Sequence, residues 1–117
     1  MTRPCPGPIP ATTPRLKAPP GACDTHAHIL GPYDRFPLNE DRGYTAPEAP
    51  LADFLVVMDT LGLERAVIVH PSTYGTMLGV TEDAIVGMPG RARGGAGVAP
   101  DITDREPERL HPIGVRG

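Results

Sequence analysis

Between Pro50 and Val69 the hydrophobic pattern switches once, from helical to extended, and that switch limits the folds open to the chain. Leu51, Phe54, Leu55, Met58 and Leu61 recur at i, i+3, i+4, i+7 and i+10, which lines one face of a helix. Pro50 suits a first-turn position, Gly62 a C-cap, and Leu63 can fold back over the last turn. Ala66-Val67-Ile68-Val69 then runs without alternation, as expected of a strand covered on both faces. His70-Pro71 ends it. A helix that turns directly into a buried strand is half of a βαβ unit.

The flanking sequence repeats the theme. Ala22 to Leu30 suits a short strand, followed by a long loop broken at Gly31-Pro32, Asp34, Pro37, Asp41 and Pro47. After a loop from Ser72 to Val80, a weak helix is expected with Thr81 as its cap and Ala84, Ile85 and Met88 on its apolar side. Pro89-Gly90 stops it. Residues 92–99 occupy the place of a third strand, weakened by Gly94, Gly95 and Gly97. Thr103-Asp104-Arg105-Glu106 reads as a capping box opening another helix, kept short by Pro107 and Pro112. Val115 begins a fourth strand. Strands separated by helices imply parallel pairing, so the expected class is α/β, cut mid-unit.

At 117 residues the chain is one domain, and 16 prolines with 14 glycines leave little room for long elements. Residues 1–20 hold seven of the prolines, carry +3 from Arg3, Arg15 and Lys17, and read as a disordered or polyproline-like lead-in. With a total of −3, the remainder carries −6, which argues against a nucleic-acid-binding face. No stretch approaches the roughly 18 apolar residues of a membrane span. Prolines stand where a signal peptide needs its apolar core. A cytoplasmic location follows by default, and in a reducing compartment Cys5 and Cys23 are two free thiols.

Chemistry is concentrated in Cys23-Asp24-Thr25-His26-Ala27-His28. Period 2 in a strand puts Asp24, His26 and His28 on one side. Two imidazoles so spaced can serve as metal ligands or as a pair that polarises a carbonyl. A catalytic metal needs at least three protein ligands, so other residues must contribute. Asp24 either fixes an imidazole tautomer or ties to backbone groups. His70 either completes a three-histidine cluster or is an ordinary strand-end residue, whereas His111 falls on the outside. Arg91 and Arg93 could grip a carboxylate, but their place at a strand's start suits a structural role.

The run PPGACDTHAHILGPYDRFPLNEDRGYTAPEAPL…LGLERAVIVHPSTYG, together with the closing G-V-R-G, resembles the amidohydrolase superfamily. More narrowly it resembles the amidohydrolase-2 branch that includes 2-pyrone-4,6-dicarboxylate lactonases and sugar-acid lactonases. The resemblance implies a partial (β/α)8 TIM barrel over residues 21–117, with three βα units and the start of a fourth strand. It implies a site at the C-terminal ends of the strands. His26 and His28 match the first-strand histidines, catalytic in the family and ligands to a divalent metal, usually zinc, in metal-dependent relatives. The dicarboxylate lactonases need no metal, and there the pair would polarise the lactone carbonyl. Tyr44, Ser72 and Tyr74 match substrate-facing positions.

The implied activity is hydrolysis of a lactone of a carboxylated or sugar-acid substrate, without nucleic acid or membrane. A complete barrel needs about 250 residues. The family's later histidines, carboxylate-holding arginines and final aspartate have no counterpart here, and His70 stands where relatives tend to carry Gln. The chain is therefore expected to be an incomplete barrel, inactive alone. The competing reading is a non-catalytic remnant that self-associates through bare sheet edges.

Overall fold

The computed structural model describes residues 3–117. In chain order the elements are β1 (Arg3–Pro4), β2 (Cys23–Ala27), β3 (Tyr44–Thr45), α1 (Leu51–Leu61), β4 (Arg65–Val69), a 3-10 turn (Ser72–Tyr74), α2 (Gly79–Val86), β5 (Ala92–Gly95) and α3 (Arg105–Leu110). The main sheet is parallel throughout, in the order β2-β4-β5. A parallel bridge from Gly94 to Val115 starts a fourth position. It is extended by hydrogen bonds from Arg116 N to Gly94 O (2.8 Å) and from Ala96 N to Gly117 O (2.8 Å). Each strand thus lies beside its predecessor with a helix between, the arrangement of a partial TIM barrel.

The helical pattern around α1 performs as its residues dictate, with one adjustment. Pro50 is the N-cap and not part of the first turn, at φ −72° and ψ 165°. Gly62 takes φ +73°, where a side chain would be strained, and Leu63 N then donates to Met58 O (2.9 Å). Met58 is fully buried and joins Ile68, Ala84, Ile85, Met88 and Ala92 in the core.

Four expectations are corrected. Thr81 does not cap α2, which begins at Gly79; Thr81 lies within the helix, and its hydroxyl meets the His70 ring. The capping box at Thr103 does not form, because the Glu106 carboxylate is taken by Arg109 (2.8 Å), which also holds Glu82 (2.7 Å) and so ties α3 to α2. β4 is not covered equally on its two faces: Ala66 and Ile68 are buried while Val67 and Val69 are half-buried. Helices cover the Ala66 face, and among the described residues the opposite face is only partly closed. The glycines of β5 do more than weaken it, since a Cβ on Gly94 would run into Ile85 Cδ1 of α2. Close helix-on-strand packing requires that glycine.

The proline-rich lead-in has one short paired segment, where β1 runs parallel to β3 and Cys5 N donates to Thr45 O (3.0 Å). Alternation of proline with other residues leaves that amide available to donate. No helix among the described residues is long and apolar enough to cross a membrane.

Candidate active site

The histidine pair lies at the C-terminal end of β2, beside the end of β4. Register shows how it is placed. Asp24 pairs with Ala66 and Ala27 with Ile68, so β2 spends three residues where β4 spends two. The extra residue is a bulge, which shifts the phase of alternation. Asp24 is therefore in phase with buried Ala66, and the expected single row of Asp24, His26 and His28 is broken. Its carboxylate accepts the His26 backbone N–H (3.0 Å), which settles the two alternatives for Asp24 in favour of a backbone tie.

Beyond the bulge, alternation resumes. Ala27 and Ile29 are buried, and His26 and His28 project to the other side, exposed. Their ring centroids are 5.0 Å apart at an interplanar angle of 87°. His28 Nδ1 lies 2.9 Å from Val69 O. A carbonyl can only accept, so Nδ1 carries a proton, and in the uncharged tautomer the bare lone pair is on Nε2. That nitrogen is available to a metal, a proton or a substrate hydroxyl.

His70 follows β4 and does not join the pair. Its Nε2 lies 2.9 Å from Gly75 O and its Nδ1 2.8 Å from Thr81 Oγ1. By the same reasoning Nε2 donates to the carbonyl and Nδ1 accepts the threonine hydroxyl proton. Burial lowers its pKa below the usual imidazole value, opposed by the Gly75 bond and reinforced by the nearby His28 charge. A neutral ring with both nitrogens engaged is a structural element. Among the described residues no group of three or more His, Cys, Asp or Glu is arranged to hold a metal. His26 and His28 provide two nitrogen donors where a catalytic zinc site takes at least three protein ligands. The donor set present here therefore does not by itself fit the ion.

The loop after β2 is docked onto the turn after β4. Gly31 N donates to Tyr74 Oη (2.8 Å) and Asn39 N to Thr73 O (2.8 Å). Tyr74 is 1% exposed, so this substrate-facing candidate lies in the core, where its hydroxyl anchors a backbone amide. Burial raises its pKa, and Tyr33, pushed up to about 12 by burial and by Tyr74 and Glu48, donates to Ala46 O (2.7 Å). Both phenols stay protonated at neutral pH. Ser72 is exposed at the start of the 3-10 turn, and Tyr44 is half-buried in β3.

Arg91 holds Glu64 O (2.8 Å), in keeping with a structural role, and His111 is exposed. The links of Tyr74 to Gly31 and of His70 to Thr81 had no signal in local sequence pattern, since each joins residues from different elements. A concavity of about 500 Å3 is apart from the histidine pair and is lined by Val98, Ile102, Leu110, His111 and Val115. It borders the open side of the sheet, not the pair, and the chemistry available at His26 and His28 makes them the stronger candidate.

Comparison with known proteins agrees with this layout. The chain is 42% identical over 115 residues to a 4-sulfomuconolactone hydrolase of Rhizobium radiobacter, covering 97% of this chain and 38% of that protein. It is 39% identical over 104 residues to a 2-pyrone-4,6-dicarboxylate hydrolase of Comamonas testosteroni, covering 89% and 34%. The crystal structure of a probable 2-pyrone-4,6-dicarboxylic acid hydrolase from Acinetobacter baumannii, with citric acid bound, superposes with a TM-score of 0.76 at 30% identity, over 83% of this chain and 36% of that one. The chain thus spans little more than a third of the length of these relatives. The family model described as amidohydrolase (Amidohydro_2) matches residues 23–117, β2 and its histidine pair included, and the chain belongs to that family.

Proposed function

We propose that this chain supplies the first-strand histidines of a hydrolase that opens a lactone bearing carboxylate or similar anionic groups. The observation that carries the reading is the His26–His28 pair, adjacent and exposed at the C-terminal end of a parallel sheet. The names of the similar hydrolases, a sulfomuconolactone and a pyrone dicarboxylate, supply the substrate class. His28, protonated at Nδ1, offers the bare Nε2 as acceptor for the proton of the adding water, while His26 polarises the ester carbonyl through a ring N–H. His26 and His28 are the two nitrogens that could serve as ligands to a divalent metal such as zinc, a set too small for the ion by itself. Ser72 and Tyr44 would serve as hydrogen-bond donors to the substrate. A reducing, cytoplasmic setting suits the two free thiols, Cys5 and Cys23.

The test joins this chain to the part of the Rhizobium radiobacter relative beyond the matched region and assays lactone opening. The joined protein is expected to hydrolyse the lactone, while the 117-residue chain alone does not. His26→Ala or His28→Ala in the joined protein should lower kcat/KM by about 100- to 10,000-fold. Full activity in the double mutant overturns the reading.

A second reading, a non-catalytic self-associating chain, is favoured by one feature. β2 forms one edge of the main sheet, and the apolar concavity borders the other. Exposed strand edges of this kind pair with other chains. Light scattering after size exclusion distinguishes a concentration-dependent oligomer from a monomer.

A further inference from the structure

We infer that His70 is the positioning residue of the histidine site, holding the end of β4 so that the Val69 carbonyl stays aimed at His28. The inference rests on the proposed role of His28 but is read out without turnover. Three contacts form one path. Thr81 of α2 donates to His70 Nδ1 (2.8 Å), and His70 Nε2 donates to Gly75 O (2.9 Å). Val69, the residue before His70, accepts from His28 Nδ1 (2.9 Å).

The His70 backbone is fixed as well, since its N–H donates to Gly95 O (3.0 Å) in continuation of the β4–β5 ladder. Ring and backbone together leave the Val69–His70 peptide little freedom. Its surroundings are tight: a Cβ on Gly97 would lie 3.0 Å from His70 Cδ2. The same ring closes the turn that carries Ser72, because Gly75 caps that turn and its N–H donates back to Ser72 O (3.0 Å). One side chain therefore sets both the tautomer of His28 and the position of Ser72. A ring that merely filled space would need neither the Thr81 hydroxyl nor the Gly75 carbonyl.

The test is the side-chain 15N spectrum of the histidines in the 117-residue chain, recorded at about pH 8, above the ordinary imidazole pKa of about 6.5. In the native chain His28 should show a protonated Nδ1 and a bare Nε2, and His70 the reverse. His70→Ala should release His28 into a mixture of tautomers. His70→Gln should restore the native His28 pattern, because the amide NH2 can donate to Gly75 O while its oxygen accepts from Thr81. Global loosening alone would lower the melting temperature without this rescue.

Should His70→Ala lose its dispersed spectrum, Thr81→Val decides. It removes the hydroxyl and keeps the shape, and is expected to alter the His70 pattern and loosen that of His28. Unchanged His28 nitrogens in a folded His70→Ala protein, or in Thr81→Val, overturn the inference. So does failure of His70→Gln to rescue. Absence of lactone hydrolysis by the joined protein, with the native His28 and His70 tautomers intact, would instead count against the proposed function.

Discussion

Tyr74→Phe separates an anchoring phenol from a substrate-facing one. The ring is 1% exposed and packed in the core, so the substitution leaves its apolar contacts in place and removes one oxygen. That oxygen accepts the buried Gly31 N–H at 2.8 Å. Phenylalanine offers no replacement, and an orphaned buried amide costs about 1–3 kcal/mol. With little cavity created, the expected loss is about 1–2 kcal/mol, in the lower half of that range. For a domain near this size that lowers the melting temperature by roughly 4–8 °C per kcal/mol.

Urea unfolding followed by circular dichroism measures the loss, and amide hydrogen exchange at Gly31 locates it. Tyr33→Phe is the control: its hydroxyl donates to Ala46 O across a partly buried contact, and its removal should cost no more than about 1 kcal/mol. Equal stability of Tyr74→Phe and the native chain, with Gly31 equally protected, refutes the reasoning. A Tyr74→Phe protein of native stability whose joined form binds substrate more weakly would return Tyr74 to the substrate side.

Two further outcomes follow from the packing and the titration of the loop. Gly94→Val should destabilise by about 1–3 kcal/mol, because Ile85 must leave its place on β5; an unchanged urea midpoint contradicts that contact. The folded-state pKa of His70 is lowered, chiefly by burial, with the His28 charge adding to it and Gly75 opposing. Folding therefore disfavours the charged ring, so stability is full above about pH 6.5, the unfolded value. It declines as pH falls below that toward the folded value. His70→Gln removes this contribution, and parallel stability curves for the two proteins between about pH 8 and pH 5 would contradict it.

The parts of the fold legible in sequence are those where local pattern and tertiary environment agree. α1 shows its five apolar positions and its glycine stop because it turns the face its period defines toward the core, and β4 shows as a strand by its β-branched run although its two faces are not covered alike. The His26–His28 adjacency follows from period 2. The same period misplaced Asp24, because nothing in Cys23–Ala27 announces a bulge that only the register against β4 reveals. Thr81 looked like a cap, yet its hydroxyl is claimed by a ring eleven residues back. Ser72 and Tyr74 share a motif but part company in space, one exposed and the other enclosed by the loop from β2. In each case a partner from another element outweighed a local preference.

The separation of the His26 and His28 rings is the most direct measurement. With centroids 5.0 Å apart and planes nearly perpendicular, nuclear Overhauser cross-peaks between their ring protons are expected, together with a proton on His28 Nδ1. Rings that show no mutual cross-peaks, and a His28 that protonates at Nε2, would mean that the bulged strand does not present a pair, and the proposed site would be lost with it.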